Sequence, residues 1–379
     1  MKKKYKSVMI VAGETSGDIH GARLVNAMNI NKDIIFFGIG GDELKNAGVK
    51  VIIDAKTLSV VGITEVFSKT RGILKGMKTA KMLLKDFRPD LLILIDFPEF
   101  NLHLAKTAKK INTPILYYVS PQIWAWRSKR VKKIKKLVDH MAVILPFEAR
   151  FYQKHNVNVT FVGNPLLDHP IFPKFQPQSN ELIIGLLPGS REGEVTRLLP
   201  VMAEAADIIS GHFTNENLKF LLPVAPSISK DQIQNILNSI SYKNNPNIVL
   251  IKKNSKLVLQ QSKMVIVASG TATLETALAE KPMVIIYKIS PTSYFIGKLL
   301  INVENIGLAN LVAGRRLVPE LIQNEVTPDN IALETIKILE NKKLYYKIIK
   351  GLKHIRNILG APGASQRTAK IARMLLNKS

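Results

Sequence analysis

The sequence predicts an α/β protein made of two doubly wound, parallel-sheet domains, and three observations predict it. Short runs that are apolar at every position alternate with longer helix-like segments, the pattern of parallel strands covered on both faces. That alternation is interrupted at NPLLDHPIFPKFQPQSNE, residues 164–181, where four prolines fix φ and withhold amide donors, as suits an extended linker. The chain is also longer, at 379 residues, than one compact domain usually is. Residues 1–167 are read as the first domain and 168–181 as the linker. Residues 182–350 are read as the second domain, and 351–379 as a helical segment crossing back onto the first.

The first strand is Val8–Ala12. The preceding lysines imitate a signal peptide, but this apolar run is too short for one and leads straight into a polar loop. Ile34–Gly38, Leu91–Ile95, Ile115–Val119 and Met141–Leu145 complete the first set of strands. Leu182–Leu187, Phe220–Val224, Ile248–Ile251, Met264–Ala268 and Met283–Tyr287 form the second. Ala361–Ser365 (APGAS) then breaks the chain before a last amphipathic helix. Two such domains facing each other enclose a cleft lined by strand carboxyl ends, where open α/β sheets take their ligands.

Composition narrows the chemistry. Cysteine is absent, which removes disulfides, thiolate nucleophiles and zinc–thiolate sites and fits a reducing cytoplasm. No stretch approaches the ~18 apolar residues of a membrane span. Lys and Arg number 54 against 29 Asp and Glu, a net charge of +25. Such a field draws an anionic partner, whether nucleic acid, an acidic membrane face or a phosphorylated substrate, although a lysine-rich proteome gives the same balance. The His are scattered without an HxxxH pair and no Asp-x-Asp occurs, which weighs against a bound divalent metal.

Two strand-to-helix junctions look suited to phosphate. In MVIVASGTATLETALA, the residues Ser269, Gly270, Thr271, Ala272 and Thr273 leave a strand and open a helix, where free amides and the helix dipole favour an anion. Glu275, one turn in, can accept from a ribose diol. A plain Ser or Thr N-cap explains the same residues. In LLPGSR, Gly189 and Ser190 make a tight turn, and Arg191 offers a bidentate grip on a pyrophosphate or else a solvated side chain. Neither junction matches GxxxxGK[ST] or GxGxxG.

LLILIDFPEFN puts Asp96 at the end of a buried strand, where its carboxylate can take a proton from a hydroxyl. Asp96 and Glu99 also have the spacing of a capping box. Glu14, Ser16, Gly17 and Asp18 crowd the loop after the first strand, beside the same cleft. Two basic stretches remain. Val60, Val61, Ile63, Val66 and Phe67 form an apolar cluster ahead of Arg71, Lys75 and Lys78, suited to an anionic membrane face or to an ordinary amphipathic helix. WAWRSKRVKKIKKLVDH joins Trp124 and Trp126 to seven basic residues, which fits base stacking, a membrane edge or a solvated helix.

Taken in order, AGETSGD, GIGGDEL, IDFPEFN, SPQIWAWR, GNPLLDH, LLPGSR, SGTATLE and LANLVAGR followed by VPELIQ resemble the lipid-A-disaccharide synthase family, from about Val8 to Gln323. The resemblance implies a GT-B glycosyltransferase of two Rossmann-like domains, with no cofactor and no catalytic metal. It implies the joining of UDP-2,3-diacylglucosamine to 2,3-diacylglucosamine 1-phosphate at the cytoplasmic face of the inner membrane. Asp96 matches the family's essential aspartate, Arg191 the arginine near the UDP phosphates, and Ser269 to Glu275 the nucleotide loop. Asn310 in LANLVAGR and Gln323 in PELIQ join that site. Phe97 and Glu99 depart from the small residue and Asp often found there. The implied partners are the two lipid substrates and an anionic membrane surface rather than nucleic acid, and a homodimer is left open. The rival readings are a UDP-N-acetylglucosamine 2-epimerase of the same fold and a basic RNA-binding protein.

Overall fold

The computed structural model describes residues 5–30, 33–58, 66–126, 128–168, 181–225, 228–252, 254–290 and 305–378, without the side chains of 66–71 and 125–126. The chain divides into two compact units, Met1–His169 with Leu359–Ser379, and Pro170–Ile358. Each holds one wholly parallel sheet.

In the first unit the strands are β1 (Lys6–Ala12), β2 (Ile34–Gly40), β3 (Lys50–Asp54), β4 (Leu91–Ile95), β5 (Ile115–Tyr118), β6 (His140–Val143) and β7 (Val159–Phe161). They lie in the order β3-β2-β1-β4-β5-β6-β7. In the second unit β8 (Glu181–Leu187), β9 (Asn217–Val224), β10 (Ile248–Lys252), β11 (Met264–Ala268), β12 (Met283–Tyr287) and β13 (Glu320–Ile322) lie in the order β10-β9-β8-β11-β12-β13. In both sheets the order of strands therefore reverses beside the first strand, at β1/β4 and β8/β11. Ligands of doubly wound sheets bind at such points.

The continuous apolar runs follow from burial on two faces. Met9 and Val11 of β1 join Leu92, Leu94, Ile115 and Tyr117 in one core layer. Val8, Ile10 and Ala12 join Leu91, Ile93, Ile95, Leu116 and Tyr118 in the other. Helices α3 (Val66–Phe87), α4 (Pro98–Lys110) and α6 (Val131–Leu137) cover the first layer through Leu84, Ala105 and Ile134. Between the last two lies the short α5 (Ile123–Trp126). The second layer is covered by α1 (Thr15–Met28), which brings Leu24, Val25 and Met28, and by the helix Ala364–Leu376 at the far end of the chain, which brings Ala369, Ala372 and Leu376.

That last helix is tied down by one carboxylate. Asp168 accepts from the amides of Gly363 at 2.6 Å, Ala364 at 3.2 Å and Ser365 at 3.4 Å, the donors a helix start leaves unpaired. Arg367 Nε donates to Val162 O at 2.7 Å, and Arg373 pairs with Asp33 at 3.1 Å. Replacing Asp168 by Ala is expected to lower stability by about 1.5–3 kcal/mol, the worth of charge-assisted bonds left unmade. A urea midpoint equal to wild type would show that the cap contributes nothing. The return to the first unit starts at Leu359, whereas the sequence reading starts its last segment at residue 351. An unbroken helix, Lys342–Ile358, carries the second unit up to that point.

Candidate active site

In the first unit, two loops meet where β1 and β4 end side by side, with Ala12 in register with Ile95. A Cβ on Gly13 would lie 2.4 Å from the Phe97 ring, so only glycine lets the AGETSGD loop approach IDFPEFN this closely. Gly17 packs over Ile95, where an added Cβ would lie at an ordinary 3.4 Å. Glu14 is half-buried and Ser16 exposed at this edge. Asp18 is 5 % exposed, and its carboxylate accepts from Gly41 N at 2.7 Å, Glu43 N at 3.0 Å and Leu44 N at 3.3 Å. The sequence reading offered Asp18 to a ligand; the structure commits its carboxylate to bracing the GIGGDEL turn.

Asp96 follows β4 and is half-buried. Both Asp96 and Phe97 have φ of +46°, in the left-handed region. Such conformations cost of order 1–3 kcal/mol each in non-glycine residues and gather at functional sites. Asn101 Nδ2 and the Tyr117 hydroxyl both donate to the Asp96 carbonyl oxygen, at 2.7 and 2.6 Å. The helix that follows takes Phe97 as its N-cap, one residue beyond the Asp96 that the capping-box spacing pointed to. Helix α4 opens at Pro98 behind Phe97 with no side-chain cap, and Glu99 pairs with Arg130 at 2.6 Å.

Glu148, which the sequence reading passed over, is buried in the first turn of α7 (Pro146–Lys154). It accepts from the Trp124 indole at 3.2 Å and from Leu145 N at 3.1 Å. Trp124 also stacks edge-on against Phe147, which turns this aromatic inward. Burial pushes the Glu148 carboxyl up to about 8, and the nearby charge of Asp96 adds to the shift. A folded chain that holds a proton the unfolded chain has already released becomes less stable as pH rises between those two pKa values. The slope from one such group is at most about 1.4 kcal/mol per pH unit. Glu148→Gln should flatten it, and urea midpoints measured at several pH values from about 5 to 8 will show whether it does.

In the second unit, β8 and β11 are neighbours, with Leu187 opposite Val267. The two phosphate-like junctions therefore leave adjacent strand ends. They differ in one respect. At the start of α8 (Glu192–His212), Glu194 turns back and accepts from Ser190 N at 3.2 Å and Arg191 N at 3.4 Å, occupying the amides that an anion would use. Gly189, at φ +113°, faces the same carboxylate. Arg191 is 65 % exposed and lies 3.7 Å from Glu194. By contrast α11 (Thr271–Leu278) starts behind Gly270 with no side-chain cap, and a Cβ there would meet nothing within 4 Å. Thr273 is buried and turns its hydroxyl back to Gly270 O at 2.8 Å, while Thr271 is exposed and Ala272 half-buried. Glu275 is half-buried one turn in, its pKa raised by burial.

Asn310 and Gln323 sit behind this junction as braces. Asn310, on α12 (Leu308–Ala313), is fully buried. It accepts from Leu317 N and Val318 N and donates to Val318 O and Glu320. Glu320 in turn accepts from Ile306 N and Gly307 N, and Ile306 O accepts from Ser269 Oγ at 3.3 Å. Gln323 pairs with both backbone atoms of Ile289. Ser269 is the link between this chain of bonds and the nucleotide-like loop among the described residues.

Of the basic flank, Val60, Val61 and Ile63 lie outside the described residues, and Val66, Phe67 and Arg71 lie in the first turns of α3. Lys75 and Lys78 are exposed. Leu74, Met82 and Phe87 of the same helix, which the sequence reading did not single out, are 67 %, 52 % and 59 % exposed. Among the described residues no helix is long and apolar enough to cross a membrane, and no group of three or more His, Asp or Glu is placed to hold a metal ion.

The family described as lipid-A-disaccharide synthetase matches residues 8–373. The lipid-A-disaccharide synthase of Syntrophus aciditrophicus is 46 % identical, covering 99 % of both chains. The crystal structure of MurG from Acinetobacter baumannii shares the fold at 15 % identity, with a TM-score of 0.61 over 97 % of this chain and 99 % of that one. The UDP-GlcNAc 2-epimerase of Neisseria meningitidis also shares it, at 13 % identity, with a TM-score of 0.55 over 98 % and 100 % of the two chains. Fold alone thus accommodates the epimerase reading, and the sequence relationship goes to the synthase.

Proposed function

This chain belongs to the lipid-A-disaccharide synthetase family, and from that premise we propose that it joins UDP-2,3-diacylglucosamine to the 6-hydroxyl of 2,3-diacylglucosamine 1-phosphate, releasing UDP. The observation that carries the assignment of roles is topological. IDFPEFN ends a strand at the β1/β4 reversal, and LLPGSR and SGTATLE end strands at the β8/β11 reversal.

An α-linked donor that gives a β-linked product requires one in-line displacement with inversion. The acceptor oxygen bonds to C1 of the donor as the bond from C1 to the UDP oxygen breaks, and the electron pair leaves with UDP. Asp96 takes the proton of the attacking hydroxyl. The uncapped start of α11 and the Arg191 guanidinium meet the charge that grows on the diphosphate. Glu275 accepts from the ribose hydroxyls. The cationic work falls to these groups, with no metal and no cofactor. Incubating the purified protein with both substrates should yield the disaccharide 1-phosphate and UDP in equal amounts by mass spectrometry. Epimerised UDP-N-acetylglucosamine with no disaccharide would sink the proposal.

Both substrates carry acyl chains, so the protein works against the anionic cytoplasmic face of the inner membrane. Exposed Leu74 and Met82 beside Lys75 and Lys78 supply apolar and cationic contacts on one helix. Changing Leu74 and Met82 together to Ser is expected to cut retention on anionic vesicles while UDP affinity stays the same, with added salt releasing the remainder. Unchanged retention would put the membrane contact elsewhere.

A further inference from the structure

Three side-chain hydrogen bonds converge on the backbone that carries Asp96. Asn101 Nδ2 donates to Ile95 O at 3.2 Å and to Asp96 O at 2.7 Å, and the Tyr117 hydroxyl donates to Asp96 O at 2.6 Å. Both side chains are fully buried. They come from different elements, Asn101 from the first turns of α4 and Tyr117 from β5, in register with Leu94. They act where the chain is strained, since Asp96 and Phe97 are consecutive left-handed residues. A strained conformation persists only where its surroundings over-determine it. A carbonyl that accepts two bonds has its direction fixed, and fixing the carbonyl fixes the Cα–Cβ vector beside it. Burial and the charge of Asp96 both raise the Tyr117 pKa well above the usual tyrosine range, so its hydroxyl stays a donor.

We propose that Tyr117 and Asn101 are positioning residues, which hold Asp96 in its left-handed conformation from inside the core and thereby aim its carboxylate at the acceptor hydroxyl. This rests on Asp96 being the base. A phenylalanine would fill the Tyr117 site equally well, so packing alone gives no reason for the hydroxyl there. The same holds for Asn101, whose amide hydrogens go to the two carbonyls at the end of β4.

Tyr117→Phe keeps the volume and removes one donor. It is expected to lower kcat about 10- to 100-fold with KM for both substrates unchanged, because a small misdirection of a reacting group is costly. In an Asp96→Asn background the same change should cost nothing further, since there is no base left to aim. Asn101→Ser, which removes the other donor, should show the same coupling. Equal losses from Tyr117→Phe in both backgrounds, or a lower melting temperature with kcat intact, would overturn the positioning role and leave the base assignment standing. Wild-type kcat in Asp96→Asn alone would instead overturn the base assignment.

Discussion

Asp96→Asn is expected to turn over about 10²–10⁴-fold more slowly than the wild-type chain, the usual contribution of a general base. Asparagine is the cleaner replacement because it tolerates the left-handed backbone at this position, φ +46°, better than alanine does. The side chain keeps its size and loses only the ability to accept the proton. Binding of UDP should be untouched, since the nucleotide groups lie in the other unit. Steady-state kinetics together with a melting curve decide the matter. A variant that melts like wild type and retains kcat would leave Asp96 as a strained residue without a chemical role.

The second large effect is expected at Arg191. Arg191→Ala should weaken UDP binding by about 10- to 100-fold, in line with the loss of a charge-assisted bond worth ~1.5–3 kcal/mol. Arg191→Lys should recover only part of this, because an ammonium lacks the planar fork. Glu194 supplies an internal control. Its carboxylate holds the Ser190 and Arg191 amides and lies 3.7 Å from the guanidinium, so Glu194→Ala, which removes the acceptor, should free both for the nucleotide and leave affinity equal or improved. Calorimetric titration of UDP into the three variants separates the cases. Equal affinity in wild type and Arg191→Ala would end the phosphate role.

Every strand inside a sheet was found in the sequence, and of the four edge strands only β10 was. Runs buried on both faces, such as Leu91–Ile95 and Met264–Ala268, were legible because every residue is apolar. The missed strands β3, β7 and β13 are all sheet edges. Lys50–Asp54 alternates between exposed and half-buried residues, while the other two span three residues each. Too little apolar periodicity remains at such edges to register.

At the site, residue positions were legible and hydrogen-bonding commitments were not. Asp96 announces itself as an acid at the end of an apolar run. Tyr117 reads as one more apolar strand residue until the register of β5 against β4 brings its hydroxyl to the Asp96 carbonyl. Asp18, Asn310 and Gln323 stand in motifs that look ligand-facing, yet their side chains hold backbone amides, those of distant segments for Asp18 and Gln323 and those of Leu317 and Val318 for Asn310. Glu194 was within reach, because a Glu three residues after a helix N-cap is a capping signature.

The helix Ala364–Leu376 completes a core layer begun by Val8, Ile10 and Ala12. The first unit is therefore assembled from both ends of the chain, with all of Pro170–Ile358 lying between them in sequence. During synthesis its sheet emerges early, with α1 to cover part of that apolar face, and the rest stays open until Ala364–Leu376 leaves the ribosome. The second unit is continuous and can close as soon as it is made. The part of the protein that carries Asp96 is thus the last to become native, and truncation at the carboxyl end removes core from the unit that began the chain.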